Sequence, residues 1–410
     1  MIKRNIVIIG GGAAGLAAAI SAYDHGEKDI LIIEQYEHLG GILGQCIHSG
    51  FGLQTFKEEL TGPEYAYRFE QEVLKRHIEV KFYTRVIAVT NDHVLTYSNP
   101  SEGVVKISCG AIIFATGSYK RPSGHIAMCG DRVSGIITAG SAQRLLNING
   151  GLVGKRVIII GSGDIGLIMA RRLTLEGAKV LAVCEIMPYS NGLNRNISQC
   201  LNDFNIPLYL STTVKEVKGK SRVEKVILCK VDENKQMIPG SEIEMECDTL
   251  LLSIGLLPQI TLLKEAGAKY IGTRVIVNEY LETSIPGIFA CGNSLHIHDI
   301  VDLVSKEGAL AGENAVRYIN SSLPRCDLVP IIAGKNIGYV MPNFVNRVNE
   351  TFINKFRVSK PLSNPTIILK ANGQEIKRIK AIKLLPSIMQ EVAIDMKEDY
   401  KEIIVEAEGE

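Results

Sequence analysis

The chain has 410 residues, of which 46% are hydrophobic and 22% charged, as in an ordinary globular protein with two or three domains. A formal net charge of +1 excludes a strong overall field for nucleic acid or acidic membranes, and the absence of tryptophan argues against an aromatic nucleic-acid groove. No nucleic-acid partner is therefore expected. No uncharged apolar run reaches the ~18 residues of a membrane-spanning helix, so no transmembrane segment is expected either.

The cysteines indicate a reducing compartment. Their number is odd, and they are scattered without any C-x-x-C pair. The apolar run at the start of the chain is short and is expected to be a strand, not a secretory signal. This distribution predicts reduced thiols in a cytoplasmic protein and argues against a zinc or iron–sulfur site.

The first predicted unit is "NIVIIGGGAAGLAAAISA", an apolar strand, a glycine turn and a helix. Gly10, Gly12 and Gly15 have the G-x-G-x-x-G spacing, and a second strand ends at Glu34, 19 residues after Gly15. The first glycine permits a tight turn, the second lets a pyrophosphate approach the backbone, and the third lets helix and strand pack closely. The acid then accepts hydrogen bonds from a ribose.

The loop "GGILGQCIHSGFGL" follows at residues 40–53. Cys46 is either a redox thiol, with a pKa lowered by His48 or a helix dipole, or a small apolar filler beside a loop histidine. The surrounding glycines suggest backbone packed closely against a ring system, with Gln45 and His48 as the nearest polar candidates.

The same device recurs in "RVIIIGSGDIGLIMARRL", with Gly161, Gly163 and Gly166, and Glu185 again 19 residues later. Two copies in one register favour dinucleotide binding over incidental glycine-rich turns of an α/β fold. No arginine near Glu185 is placed to hold a 2′-phosphate, which favours NAD over NADP, whereas the first copy suits either NAD or FAD. The expected cofactor contacts of the two copies are Gly10, Gly12, Ala13, Ala14, Gly15, Glu34, Gln35, Gly161, Gly163, Asp164, Ile165, Gly166 and Glu185.

Three further segments carry a family resemblance: "CGAIIFATGSYKRP" (109–122), "DTLLLSIGLLP" (248–258) and "ETSIPGIFACGN" (282–293). In this order, with the two glycine motifs, roughly residues 1–320 resemble the pyridine nucleotide–disulfide oxidoreductase superfamily of flavoproteins. The resemblance implies FAD on the first motif and NAD(P) on the second. It adds the cofactor contacts Gly41, Gln45, Ala115, Thr116, Gly117, Gly255, Gly292, Asn293 and Val304.

Within that superfamily the linker "RPSGHIAMCGDRVSGIITAGSAQRLLN" resembles the branch of opine oxidase, dye-linked proline dehydrogenase and hydrogen cyanide synthase flavin subunits. The stretch "GGILGQCIHSGFGLQTFKEELTGPEYAYRF" (40–69), which includes the Cys46 loop, resembles a bacterial flavoprotein often encoded beside a glycerol-3-phosphate dehydrogenase. The resemblance implies a hetero-oligomer with another dehydrogenase subunit or an electron carrier, and a homo-oligomer is the alternative.

The sequence departs from the superfamily at two places. Asn293 replaces the aspartate that normally bonds a ribityl hydroxyl, although an amide still offers an acceptor. Only Cys46 follows Gly41, so the C-x-x-x-x-C dithiol of the disulfide reductases is absent. A helix is predicted to start near Val301 to Ser305, either directing its N-terminus at the flavin or simply closing the fold.

The remaining histidines are weaker candidates. His296 and His298 in "HIHD" resemble a metal dyad, but one i, i+2 pair is usually a loop feature, and no metal is expected. Cys291 is expected to be structural.

The region after Pro324 consists of short alternating runs around an Asn372-Gly373 turn, which predicts a β-rich domain with a hairpin. The expected fold class is α/β, with two Rossmann-like dinucleotide-binding domains for FAD and NAD and a small β-rich C-terminal domain. The expected limits are 1–120 with 285–325 for FAD, 121–284 for NAD and 326–410 for the β-rich domain.

Three functions fit these features. The first is an FAD-dependent NAD(P)H oxidoreductase that passes electrons on as a subunit or partner of another dehydrogenase. The second is a self-sufficient NADH oxidase or disulfide reductase with Cys46 and His48 as catalytic residues. The third is a non-catalytic flavoprotein scaffold.

Overall fold

A computed structural model describes residues 2–324, 326–347, 350–397 and 399–409. The chain divides into two compact units, one formed by Met1–Ser118 with Pro258–Glu410 and the other by Tyr119–Leu257. The expected α/β class, with Rossmann-like sheets and a β-rich C-terminal region, is confirmed. The α-helices are α1 (Ala13–Asp24), α2 (Gly62–Lys75), α3 (Ala139–Asn147), α4 (Asp164–Leu175), α5 (Asn194–Cys200), α6 (Thr261–Glu265) and α7 (Val301–Ile319).

The first unit is built on a mixed sheet. Its strands, in spatial order, are Glu79–Lys81, Ile30–Ile33, Ile2–Ile9, Gly103–Phe114, Val94–Asn99 and Arg85–Val89, with Ile288–Ala290 also paired to Gly103–Phe114. The central strands run parallel, and the residues from Ile6 to Ile9 are buried, as expected for strands covered on both faces.

Helices α1 and α7 cross closely in this unit because α7 carries two glycines at the contact. A Cβ on Gly308 would lie 2.2 Å from the Ala14 carbonyl oxygen, and one on Gly312 would lie 2.2 Å from the Ala18 carbonyl oxygen. The alanine-rich face of α1 and these glycines together bring the two helix backbones into contact, which fixes the start of α7 beside the glycine turn of α1.

The second unit contains a parallel sheet and an antiparallel sheet. The parallel strands are, in spatial order, Ile136–Thr138, Thr249–Leu252, Arg156–Ile160, Lys179–Cys184 and Leu208–Tyr209. The other sheet is Cys129–Gly130, Thr212–Gly219, Val223–Lys230 and Ile243–Glu246. Short strands at Ser118–Lys120 and Leu256–Pro258 lie at the unit boundaries.

The C-terminal region has a core of its own within the first unit. One sheet has the order Phe344–Asn346, Leu328–Ala333, Ile403–Glu408, Thr366–Ala371 and Gln374–Lys380, and a second has Ile337–Met341, Thr351–Val358 and Gln390–Asp395. The predicted hairpin is confirmed: Asn372 and Gly373 both have positive φ (51° and 79°) between antiparallel strands.

Smaller elements complete the first unit. Strand pairs join Ser49–Phe51 to Leu60–Thr61, Tyr270–Ile271 to Arg274–Val275, and Leu362–Ser363 to Lys383–Leu384, and 3-10 turns lie at Gly41–Gln45 and Gly292–Ser294. Residues 258–284, which the sequence grouped with the NAD domain, lie in the first unit, where Leu263 of α6 is buried in its core. None of the helices in the described residues has the length and hydropathy needed to span a bilayer.

Candidate dinucleotide sites and the charge cluster beside them

The first glycine turn joins Ile2–Ile9 to α1. Gly10 has φ +106°, and a Cβ there would lie 2.5 Å from the Ala115 carbonyl oxygen. A Cβ on Gly15 would lie 1.9 Å from the Gly10 carbonyl oxygen. Gly12 is different, because its added Cβ would meet only the Gly41 Cα, at 4.0 Å. Two glycines therefore serve packing, and Gly12 leaves open space in front of the helix.

Glu34 ends the next strand and reaches back to this turn. Its Oε2 accepts a hydrogen bond from Gly11 N at 2.8 Å, and its Oε1 accepts one from Tyr36 N at 2.9 Å. The side chain is buried, so these backbone donors hold the carboxylate in one orientation beside the glycine turn. Gln35, the next residue, is exposed.

The second unit repeats this geometry. Gly161 has φ +98°, and its Cβ would lie 2.1 Å from the Ser253 carbonyl oxygen, whereas a Cβ on Gly166 would lie 2.5 Å from the Gly161 carbonyl oxygen. A Cβ on Gly163 would have no heavy atom of the described residues within 4 Å. Tight packing glycines thus again flank one glycine with free space.

Glu185 occupies the position of Glu34. Its Oε2 accepts from Ser162 N at 2.9 Å and from Ser162 Oγ at 2.7 Å, and its Oε1 accepts from Met187 N at 3.0 Å. Asp164, at the start of α4, accepts from Leu193 N at 2.8 Å and from Asn196 Nδ2 at 2.6 Å. Ile165 packs half-buried against the unit's core.

Both turns fit a dinucleotide. The N-cap residues of α1 and α4 are Gly12 and Gly163, which have no side chain to cap the first turn of the helix. Their first-turn N–H groups can therefore bind a diphosphate, and the glycine without a Cβ gives it access. Glu34 and Glu185 retain acceptor capacity for ribose hydroxyls, since a carboxylate offers about four lone-pair sites.

The other expected contacts of the first unit divide into two groups. Ala115 lies against Gly10 and donates its N–H to the Ile9 carbonyl oxygen at 2.9 Å. Thr116 and Gly117 continue from it, and both bond the backbone of Gln259. This group therefore lines the edge of the sheet at the glycine turn.

The second group lies in α7 and in the residues just before it, and it faces the same glycine turn. A Cβ on Gly292 would lie 2.8 Å from the Ala14 Cβ and 3.3 Å from Val304 Cγ1. Ala13 is buried beside Ala14, and Asn293 follows Gly292. The structure thus brings Cys291–Asn293, here called the "CGN" segment, and the first turn of α7 to the start of α1. In the second unit, Gly255 has φ +97° and accepts from Arg121 N.

Cys46 lies just after the 3-10 turn Gly41–Gln45 and is buried, with its Sγ donating to the Ile42 carbonyl oxygen at 3.4 Å. Burial raises the pKa of the Cys46 thiol to about 11, so it is protonated at neutral pH. Its carbonyl oxygen accepts from Gly62 N at 2.8 Å, and a Cβ on Gly62 would lie 2.8 Å from the Cys46 Cβ. These contacts pack the Cys46 side chain against the backbone at Gly62, and its catalytic role stays a prediction.

The residues that follow the Cys46 loop, including α2, are hydrogen-bonded to α7. The Thr55 N–H donates to Asp302 Oδ1 at 2.8 Å, and the Tyr65 hydroxyl donates to Ser305 Oγ at 2.8 Å. These bonds hold Thr55 and the start of α2 at the first two turns of α7, which also carry Val304. Gln45 is buried, and the half-buried ring of His48 lies 5.1 Å from the ring of Phe51.

A buried charge cluster lies beside the "CGN" segment. Glu307 of α7 has 1% side-chain exposure, and its carboxylate lies 3.1 Å from His296 Nε2 and 2.9 Å from Lys355 Nζ. His298 Nε2 is 3.3 Å from Glu307 Oε1 but has no hydrogen-bond partner in the described part of the chain. Burial lowers the pKa of the His296 imidazole to about 4.

This cluster contains residue types that can bind a metal ion, although no metal is expected from the sequence. His296, His298 and Glu307 place three ligand atoms within 4.8 Å of one another. The Lys355 ammonium already contacts the carboxylate, so an added cation would have to compete with it. The absence of a metal here stays a prediction.

Sequence reasoning missed Glu307, Lys355 and Ser162. Glu307 is 11 residues from His296, and Lys355 is in the β-rich region, so no local spacing connects them. Ser162 lies inside the second glycine motif, where a hydroxyl next to the first glycine was the available signal for its bond to Glu185.

Comparisons with known proteins agree with this geometry. Residues 4–308 match the family model described as pyridine nucleotide-disulphide oxidoreductase. A NAD(P)H sulfur oxidoreductase (CoA-dependent) of Pyrococcus abyssi is 27% identical over 306 residues, which are 71% of this chain and 63% of that protein. A NAD(P)H coenzyme A polysulfide/persulfide reductase of Pyrococcus horikoshii is 26% identical over 314 residues, which are 73% of this chain and 64% of that protein.

Among solved structures, thioredoxin reductase of T. acidophilum superimposes with a TM-score of 0.62 at 22% identity, covering 77% of this chain and 98% of that structure. This likeness concerns the fold alone. The chain spans less than two thirds of the length of the two Pyrococcus relatives, and the matched family region ends before the β-rich C-terminal strands.

Proposed function

Because the chain belongs to the pyridine nucleotide-disulphide oxidoreductase family, we propose that it is an FAD-dependent NAD(P)H oxidoreductase. Proteins of this family use FAD and NAD(P)H. The observation that carries the proposal is the repeated glycine turn with its buried acid, at Gly10 to Glu34 and again at Gly161 to Glu185. In this proposal the first turn binds FAD and the second binds NADH.

The chain's own residues supply binding and orientation. The N-termini of α1 and α4 hold the two diphosphates, and Glu34 and Glu185 hold the riboses. When bound, FAD supplies the redox chemistry by accepting the hydride of NADH and releasing the electrons to a later acceptor. The carboxylate of Glu185 disfavours the 2′-phosphate of NADPH by charge repulsion, so NADH is the proposed donor.

We place the final acceptor outside this chain. All nine cysteines lie among the described residues and are free, and the sequence has neither C-x-x-C nor C-x-x-x-x-C. No dithiol therefore offers itself as an internal relay. The proposed partner is another dehydrogenase subunit or an electron carrier, such as a glycerol-3-phosphate dehydrogenase, which is the neighbour that the resemblance of the Cys46 loop implies.

A second candidate is a self-sufficient single-cysteine reductase or oxidase that uses Cys46 and His48. The names of the two Pyrococcus relatives, a sulfur oxidoreductase and a polysulfide/persulfide reductase, favour sulfur chemistry. The raised pKa of the Cys46 thiol weighs against it, since the thiolate is the reactive form.

An anaerobic NADH titration of the FAD-loaded protein, followed by flavin absorbance, tests these proposals. The wild-type chain is compared with Cys46→Ser and with Cys109→Ser, a control at another buried free thiol. The main proposal predicts that NADH bleaches the flavin with the same stoichiometry in all three proteins.

The outcomes separate the candidates. Extra electron uptake with a long-wavelength thiolate–flavin band in wild type, lost only in Cys46→Ser, would establish the single-cysteine reductase instead. FAD binding without any bleaching by NADH would leave the non-catalytic scaffold. Full turnover by the isolated chain with a physiological substrate would refute the need for a partner.

A further inference from the structure

The segment from Gly292 to Asp299 connects the strand Ile288–Ala290 to α7 and carries the two expected FAD contacts Gly292 and Asn293. Gly292 N donates to Glu307 Oε1 at 2.9 Å, and Asn293 Oδ1 accepts from His298 N at 3.1 Å. Glu307 therefore positions the backbone of Gly292. His298, near the end of the segment, orients the side chain of Asn293 through its backbone N–H.

Glu307 is itself held from the β-rich region. Its carboxylate is almost fully buried, and a buried charge needs a partner of opposite sign. Lys355 Nζ lies 2.9 Å from Glu307 Oε2 and is the cationic partner of this carboxylate. The His296 imidazole contacts the same oxygen at 3.1 Å. Lys355 thus links the strand Thr351–Val358 to the carboxylate that holds Gly292.

The other end of the segment is held by the same strand. Arg357 Nη2 donates to the Ile297 carbonyl oxygen at 3.0 Å and forms an ion pair with Asp299. Asp299 Oδ2 also accepts from Met389 N at 2.8 Å. Asp299 is therefore bonded both to the strand Thr351–Val358 and to the residue that precedes the strand Gln390–Asp395.

The spacing of the two cations explains how one strand can do this. Lys355 and Arg357 are two residues apart, so both side chains leave the same face of the strand. The opposite face, with Phe352, Phe356 and Val358, is buried in the core of the β-rich region. One face of the strand is thus buried in the hydrophobic core of the β-rich region, and the other presents two cations to the segment.

We propose that the β-rich C-terminal region is a clamp on the FAD-binding segment, with Lys355 and Arg357 as positioning residues that fix Gly292 and Asn293 without touching the cofactor. The clamp pre-organises the segment, so that FAD does not have to order it on binding. This inference rests on the proposed binding of FAD by the first unit.

The test is Lys355→Met in the full chain, with FAD added to the apoprotein and binding followed by quenching of flavin fluorescence. Because coupling between a remote residue and a ligand site is typically about 5- to 150-fold, the FAD dissociation constant should rise about tenfold. The absorbance spectrum of the bound flavin should also shift, and Lys355→Arg, which keeps the charge, should restore both measurements.

Lys370→Met is the matched control, because Lys370 also belongs to the β-rich region and pairs with a glutamate, Glu406, at 2.7 Å. This variant should bind FAD as wild type does. A dissociation constant for Lys355→Met within twofold of wild type would overturn the clamp, and so would an equal rise in Lys370→Met. If Lys355→Met fails to fold, Arg357→Gln is judged by the same criteria at the other end of the segment. A wild-type chain that binds no FAD would instead refute the proposed function.

Discussion

The buried imidazole of His296 makes the stability of this protein depend on pH. Burial lowers its pKa from 6.5 to about 4, despite the nearby carboxylate of Glu307, and His298 and Lys355 also face it. The unfolded chain has an imidazole of ordinary pKa. Between these two values the unfolded state binds more protons than the folded state, so the free energy of unfolding falls as the pH falls.

The magnitude follows from the difference between the two pKa values. A difference of about 2.5 units corresponds to about 3.4 kcal/mol once the pH is below the folded value, and to about 2 kcal/mol between pH 7 and pH 5. The effect vanishes above the ordinary pKa, where the imidazole is neutral in both states. The pKa of the Glu307 carboxylate is lowered, so its ionised form stabilises the folded state above its ordinary pKa. That stabilisation is lost only at lower pH and adds little to the change between pH 7 and pH 5.

Urea unfolding followed by far-UV circular dichroism measures this loss, since the chain has no tryptophan for fluorescence. His296→Gln keeps a donor for Glu307 but cannot titrate, so its unfolding free energy should lose about 2 kcal/mol less than wild type between pH 7 and pH 5. His125→Gln, at an exposed histidine of the second unit, should follow the wild-type pH dependence. Equal pH dependence in His296→Gln and wild type would refute the reasoning that burial keeps this imidazole neutral.

Three further predictions concern the expected cofactor sites. Gly15→Ala should prevent correct folding of the first unit, because its Cβ would lie 1.9 Å from a carbonyl oxygen, and a loss of soluble or protease-resistant protein would show it. Gly12→Ala should fold with wild-type thermal stability but bind FAD at least about tenfold more weakly, because its methyl group would occupy the diphosphate space; wild-type affinity by titration would contradict this site. In the second unit, Glu185→Ala should weaken NADH binding about tenfold through the lost ribose hydrogen bonds and narrow the preference for NADH over NADPH, which steady-state KM values for both donors would check.

The glycine motifs could be interpreted from sequence because their geometry is local. A strand, a tight turn and a helix within about 30 residues determine where a diphosphate would lie, and the glycine spacing is written along the chain. The Asn372-Gly373 hairpin was predictable for the same reason, since two residues that tolerate positive φ define the turn. The start of α7 at Val301 also followed from the local pattern.

The state of Cys46 could not be derived from its neighbours in the sequence. Its pKa depends on how many atoms from other segments exclude water from the thiol, including the backbone at Gly62, and burial is a property of the folded chain.

Only the tertiary structure could bring Glu307, Lys355 and Arg357 to the segment after Gly292. These residues belong to a helix and to a strand of the β-rich region, and no periodicity within either element specifies the other. The amino-acid sequence by itself therefore determined where two dinucleotides are expected to bind. Folding alone decided which distant charges meet at the segment after Gly292, because a buried carboxylate takes its partner from the segment that packs against it.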